Sequence, residues 1–406
     1  MITIDSDDAE LAALVQRLAE LVAAAGGYLD ARLRIVIARG DLSVRSDAAD
    51  GELLVRLPRA CLLPIDEVDL ALNDDRLQIE SLPASMGEVQ RDMLECMIAI
   101  YNRGAKIASY REELPWLAFA DAPELLELLH RGRAQAPKPS RLFELARTGA
   151  LDTLALEGFM GSRILDYRDA AGAGAMVMMP FIDFFNHHVR AAPFARDGEA
   201  LTVTAAHPLA GSDECFVRYN ALDALDAYLN YGFVDTSAGF VRSVPVRIDL
   251  PDVGVIDIQA RVAQRRKQLA AGLTDLGALL PRAQRAEDGS LSVSQLVIPG
   301  AAPELFHRAV GALVAQFVPA IGPSELRAAV DTVVAEVMTA NRAYYGHLDE
   351  EAGRLAATPA RDRLRQLVEV QSAKLAAIGE GFAREWSWSR AKPAFPYNYG
   401  QGLTWS

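Results

Sequence analysis

Cysteine is scarce in this chain of 406 residues. There are three, Cys61, Cys96 and Cys215, far apart and without CxxC spacing. An odd, sparse set of that kind argues against a disulfide framework and a cysteine zinc site, and points to a reduced, cytoplasmic setting. The phosphate-cradling GxxxxGK[ST] loop, the GxSxG elbow and the HExxH zinc helix are all absent. Positive charge is short as well: 41 Lys and Arg stand against 54 Asp and Glu, a formal net charge of −13. That balance disfavours a broad nucleic-acid-binding face. The most apolar windows are interrupted by charge before they reach the roughly 18 residues of a membrane span, so no span is expected. The N-terminus, Met1-Ile-Thr-Ile-Asp-Ser-Asp-Asp, is acidic and has no basic segment leading into an apolar run, so no signal peptide is expected.

What is present is ordinary globular material, 51% apolar and 23% charged, which excludes a disordered chain. At roughly 100–200 residues per domain the length suggests two domains or three. Residues 8–26 carry a helical stripe of Leu11, Leu14, Val15, Leu18, Leu21 and Val22 behind a capping Asp7 or Asp8. Two β-like runs follow, 33–38 and 52–57, separated by a turn-rich stretch. From about 65 to 165 the pattern is helical, with faces at 86–104, 122–133, 142–147 and 154–165 and a loop at 135–140. Strand patterns return at 176–182, 200–205 and 214–219, followed by a helix at 221–230. Beyond about 250 the pattern is almost wholly helical, over 257–278, 303–319, 323–346 and 359–384. This succession is α+β, because strands do not alternate regularly with helices. Three of the four tryptophans fall in the last 21 residues, in an aromatic arm, 385–406, that is expected to pack on the body or to line a groove.

Few segments offer chemistry. The Gly- and Ala-rich stretch 170–175 precedes a strand instead of linking strand to helix, so it is not a dinucleotide loop. Asp183-Phe-Phe-Asn-His-His188 holds two of only six histidines. Neighbours in an extended segment point to opposite sides, and no second histidine cluster completes a site, so no metal is expected. The hexapeptide reads either as a satisfied polar turn or as a segment presenting amide and backbone groups to a small ligand. An asparagine can donate and accept, which suits an adenine edge or an amino-acid moiety. Some thirty residues on come Phe216-Val-Arg-Tyr219 and then Asn230-Tyr-Gly-Phe-Val234. A phenol with an ordinary pKa of about 10 would act there by positioning and polarising.

Together these pieces resemble the SET-domain methyltransferases. The nearest subgroup is the one typified by the plant Rubisco large-subunit lysine methyltransferase. The resemblance rests on Gly51–Leu63, Gly161–Arg163, Met179–His187 and Gly211–Val234, and on the order of elements over about residues 25–390. It implies a SET-type β-rich core with a pseudoknot over residues 1–250 and a helical insertion at 65–165. An all-α substrate-binding domain would follow at 251–384. It implies S-adenosylmethionine as cofactor. Asn186 and His187 would contact it, and Asp183, Phe184 and Phe185 would form the adjoining wall. Arg163 would pair with its methionyl carboxylate. Tyr219 matches the catalytic tyrosine. Tyr231, Gly232 and Phe233 match the segment that closes over cofactor or target, and Gly40 is what remains of the cofactor glycine loop. The family's Tyr-Gly is Tyr219-Asn220 here, and its Ser-Asn is Asp223-Ala224. The implied activity is methyl transfer to a protein side-chain nitrogen of lysine or histidine. The other readings are the same scaffold turned to a small molecule, or a non-catalytic partner-binding protein. Whether the chain is a monomer or a dimer is left open. The basic cluster Arg261, Arg265, Arg266 and Lys267 is either a solvated helix face or part of a docking surface.

Overall fold

In a computed structural model, residues 2–134, 136–169, 172, 174–251, 253–259, 279–318 and 320–383 are described. The chain divides into two compact units that no single cut in the sequence separates. The first holds the residues up to Ala118, Thr148–Leu222 and Asn230–Gly232. The second holds Phe119–Arg147, Asp223–Leu229 and the described residues from Phe233 onward. The class is α+β.

The first unit begins with the helix Ala9–Ala24. Asp8 caps it, its carboxylate accepting from the N–H groups of Glu10 and Leu11 at 3.0 and 3.1 Å. Leu11, Val15, Leu18 and Val22 are fully buried along one stripe, and each contributes about 1.5–3 kcal/mol. Thr3–Ser6 pairs parallel with Arg34–Ala38, which turns back onto Asp41–Arg45. Arg39 and Gly40, at the turn, both have positive φ, 54° and 78°, as a two-residue hairpin of the primed type requires. A four-stranded sheet runs in the order Ala195–Asp197, Ala200–Thr204, Leu53–Leu57 and Tyr28–Leu29. A third sheet places Gly174–Met178 between Leu63–Pro64 and Ile164–Arg168. Gly174 therefore opens a strand of a hairpin, in keeping with the rejection of a dinucleotide loop. A pair of two-residue strands, Asn186–His187 and Phe216–Val217, runs parallel. The helices Glu88–Arg103, Lys106–Glu113, Pro115–Ala118 and Leu151–Gly161 complete this unit.

The second unit contains the helices Pro123–Arg131 and Pro137–Arg147, and long helices at Pro303–Phe317, Pro323–Arg354 and Pro359–Ala383. Proline at the first helical position suits a helix start, since the N–H it lacks would have had no helical partner.

Several boundaries differ from the sequence expectation. Residues 69–81, expected within a helical region, form the hairpin Asp69–Asn73 and Arg76–Ser81 around Asp74 and Asp75, both at positive φ. Leu72 and Leu77 are directly opposite and buried, so period-2 packing decides against a helix. The loop expected at 135–140 becomes helix from Pro137, because prolines are tolerated in a first turn. The expected helix 154–165 gives way to strand at Ile164. Among the described residues, the all-helical character expected from 251 holds only from Pro303. Ahead of it Val246–Leu250, Gly254–Gln259, Leu291–Ser294 and Ala283–Arg285 form a sheet, and Phe240–Arg242 pairs with Val297–Pro299. Leu291-Ser-Val-Ser294 alternates between buried and half-buried, the signature of a one-sided strand. The greater part of the expected helix 257–278, the basic cluster and the aromatic arm lie outside the described residues.

Candidate active site

The segment 181–188 enters the site through an unusual backbone. Phe181 is fully buried at φ +63°, immediately before the 3-10 turn Ile182–Phe184. A bulky residue in that region costs on the order of 1–3 kcal/mol, which only a well-packed surrounding can hold. Its ring sits 5.3 Å from that of Phe184. The rings of Phe184 and Phe185 are themselves fully buried. They are core, not an open wall. What the segment presents instead is the Asp183 carboxylate, the Phe185 carbonyl and the side chains of Asn186 and His187.

Each of these groups meets a partner. The Tyr101 hydroxyl donates to Asp183 Oδ2 at 2.8 Å, and Arg163 Nε lies 3.6 Å from the same oxygen. Burial pushes the Asp183 carboxyl up from its ordinary value, against the pull of Arg163 and Lys106. The Tyr219 hydroxyl donates to the Phe185 carbonyl at 2.6 Å, and the Tyr219 N–H donates to His187 Nδ1 at 3.0 Å. An accepting Nδ1 places the proton of a neutral imidazole on Nε2. Asn186 Nδ2 donates to Glu214 at 2.8 Å. The parallel pairing of Asn186 with Phe216 and His187 with Val217 sets Tyr219 beside His187, their rings 5.2 Å apart. Tyr231 closes the group, its ring 5.5 Å from that of Tyr219.

Arg163 is held by the end of the helix Leu151–Gly161 that precedes it. Its Nη1 donates to the Phe159 carbonyl at 3.2 Å and to Ser162 Oγ at 2.6 Å. The guanidinium lies over the Phe159 ring, 3.7 Å from the centroid. Tyr101 and Tyr110 meet that ring edge-on at 5.3 and 5.8 Å, which leaves a face for the cation. Burial drives the phenols of Tyr101, Tyr110 and Tyr219 upward, so all three remain neutral. Asp183 adds to that rise at Tyr101 and Tyr219.

The structure thus gathers Arg163, Asp183, Asn186, His187, Tyr219 and Tyr231, separated by up to 68 residues. Gly40 is placed differently. A Cβ there would lie 2.8 Å from the Ala105 nitrogen, and the Gly40 carbonyl accepts from that same N–H at 2.9 Å. Its backbone is engaged by the end of the helix Glu88–Arg103, which accounts for the glycine without a ligand. Its neighbour Asp41 reaches Lys106 at 3.7 Å and so joins the turn to the cluster. Gly232 ends the helix Ala224–Tyr231 at φ +82°, and a Cβ on it would fall 3.0 Å from the Glu113 backbone. Phe233 belongs to the second unit and is half-buried.

No family model matches this sequence, and no curated protein matches it. Solved structures do. The chain is similar to the SET domain of LSMT bound to lysine and AdoHcy, at 13% identity and a TM-score of 0.36. It is also similar to Rubisco LSMT bound to AdoMet (13%, 0.35) and to Rubisco LSMT bound to sinefungin and monomethyllysine (11%, 0.34). Each likeness covers 91% of this chain and 88% of the other. At such identities and TM-scores the chemistry rests on the residues themselves.

Sequence reasoning missed Tyr101, Lys106, Tyr110 and Glu214. Tyr101 and Tyr110 sit at core positions of helices, where an aromatic reads as packing. Lys106 opens a short helix, where a lysine reads as solvated. A second cluster has the connectivity of a nucleophilic triad: Cys215 Sγ lies 3.2 Å from His207 Nε2, and His207 Nδ1 lies 2.8 Å from Asp50. Cys215 is fully buried, and burial pushes its thiol up to about 11. An inaccessible thiol of that pKa is not a nucleophile. His207 also reaches the Ser46 carbonyl at 3.0 Å, so the group ties 207–215 to 46–50. Among the described residues no group of three or more His, Cys, Asp or Glu is placed to hold a metal, and no helix is long and apolar enough to cross a membrane.

Proposed function

We propose that this chain is an S-adenosylmethionine-dependent methyltransferase of the SET type. Its target would be a side-chain nitrogen, in the first place lysine, of a protein substrate. The observation that carries the reading is the convergence on 183–187 of one buried guanidinium and two phenols. Buried Arg163 Nε makes no hydrogen bond and lies 3.6 Å from Asp183 Oδ2. That edge of the guanidinium suits a carboxylate, so the residues fit the methionyl end of the cofactor. Bound S-adenosylmethionine would supply a methyl group on a cationic sulfonium.

The chain's own residues supply the remainder. Asn186 and His187, on their short strand, orient a ligand through an amide and an imidazole. The tilted pair Tyr219 and Tyr231 offers ring faces that favour a cation and a lysine stem. Tyr219 stays a neutral phenol at physiological pH, so it positions and polarises without taking a proton. An amine entering this apolar surround is favoured in its uncharged, nucleophilic form. Holding nucleophile and methyl in line and dry is then the main catalytic contribution. The helices of the second unit would dock the protein carrying the target.

Titration calorimetry with S-adenosylhomocysteine tests the reading. Micromolar binding to the wild type, lost in Asn186→Ala, is the expected result. Absence of binding at millimolar ligand would overturn it.

A further inference from the structure

Tyr101 touches both members of the Arg163–Asp183 pair. It occupies a buried position on the helix Glu88–Arg103. Its hydroxyl donates to Asp183 Oδ2 at 2.8 Å, and the Arg163 guanidinium lies 5.5 Å from its ring centroid. The pair itself is not closed. Arg163 Nε lies 3.6 Å from that same oxygen and, although buried, makes no hydrogen bond. The two side chains are 11% and 10% exposed. Opposite charges this close and this enclosed attract strongly, so contacts on either side must hold them apart. Arg163 is kept on its side by the Phe159 carbonyl, by Ser162 Oγ and by the Phe159 ring, 3.7 Å from the guanidinium. For the Asp183 carboxylate, the Tyr101 hydroxyl is the one hydrogen-bond donor among the described residues.

We propose that Tyr101 is a positioning residue for the cofactor's carboxylate: its hydroxyl holds Asp183 off Arg163 and so keeps the Nε edge of the guanidinium open to the ligand. The inference rests on the methyltransferase reading above. Without the hydroxyl, Asp183 Oδ2 would be left with Arg163 alone, and an enclosed carboxylate without a donor is costly. It would close the gap to a direct, charge-assisted hydrogen bond. A ligand carboxylate would then have to displace one already in place. The Tyr101 ring meets the Phe159 ring edge-on at 5.3 Å, a contact that does not involve the hydroxyl. Tyr101→Phe therefore removes the donor and keeps the packing beneath the guanidinium.

The ligand-free full chain gives one readout. In Tyr101→Phe the nuclear magnetic resonance signal of Arg163 Nε–H, identified by its loss in Arg163→Lys, should move downfield as Nε bonds to Asp183. Binding of S-adenosylhomocysteine gives the other. Tyr101→Phe should weaken it about 10-fold, the effect of a competing charge-assisted contact. In an Asp183→Asn background the same substitution should change the dissociation constant by less than about 2-fold, because no charge is left to compete. A residue that merely packs would weaken binding equally in both backgrounds. Equal weakening, or an Nε–H signal that Tyr101→Phe leaves in place, would overturn the proposal and leave the methyltransferase reading standing. Failure of the wild type to bind S-adenosylhomocysteine at millimolar concentration would overturn both.

Discussion

Tyr219 directs its hydroxyl at the Phe185 carbonyl in surroundings that keep the phenol neutral. Removing that hydroxyl leaves a buried carbonyl without its donor. Tyr219→Phe should therefore lower unfolding stability by about 1–3 kcal/mol, read from urea denaturation. A loss under about 0.3 kcal/mol would mean that water reaches the carbonyl and that the site is wetter than the structure shows. At this scale the sequence announced its chemistry by rarity. Adjacent histidines and an asparagine after an apolar strand stand out in a histidine-poor chain. Tyr101 did not stand out, since its significance comes from its hydrogen bond to Asp183 across a gap of 82 positions. Asp223, a departure from the family pattern, acquires its reason here: it is fully buried and accepts from Arg133 Nη2 at 2.9 and 3.0 Å.

Elements were easiest to read where apolar spacing and caps agreed, as in Ala9–Ala24, Glu88–Arg103 and Pro359–Ala383. They were misread where short runs satisfy two periods, as at 69–81 and 283–299, and pairing across a sheet then decided. Turns show the same division. Gly40 and Gly51 have similar positive φ, 78° and 89°, but a Cβ at Gly51 meets nothing within 4 Å. Gly51→Ala should lose only the backbone preference, about 1–2 kcal/mol. Gly40→Ala adds the collision with Ala105 and should lose about 1–3 kcal/mol more. Chemical denaturation of the two variants side by side checks this. Equal losses would show that the hairpin tip is not tightly docked.

For the molecule as a whole, the helical unit has its own buried electrostatic anchor. Arg133, 1% exposed, pairs with Asp223 at 2.9 Å and with Asp226 at 2.6 Å, and Arg242 holds the other Asp226 oxygen at 2.9 Å. Arg133→Met would leave buried Asp223 without its guanidinium and should cost about 3–5 kcal/mol. Burial alone would raise the Asp226 pKa, but Arg133 and Arg242 outweigh it, and the carboxyl lies below its ordinary value. The sign follows from linkage. A depressed folded pKa contributes stability that is present above the unfolded value, about 4, and is lost as pH falls through the folded one. Wild-type stability should therefore decline below about pH 4, and Asp226→Asn should flatten that acid limb while lowering the neutral plateau. An unchanged limb in Asp226→Asn would assign the acid loss to other carboxylates.

The α+β class, most helices, and the segment 183–188 with Tyr219 as the place to look were legible in the sequence. Those are local matters of period, capping and residue rarity. It took the folded chain to show that Arg163 and Tyr101 meet at one carboxylate, that the rings of Phe184 and Phe185 are core, and that Gly40 serves a helix end. Burial, pairing and charge balance belong to residues brought together from distant parts of the chain, and no local pattern records them.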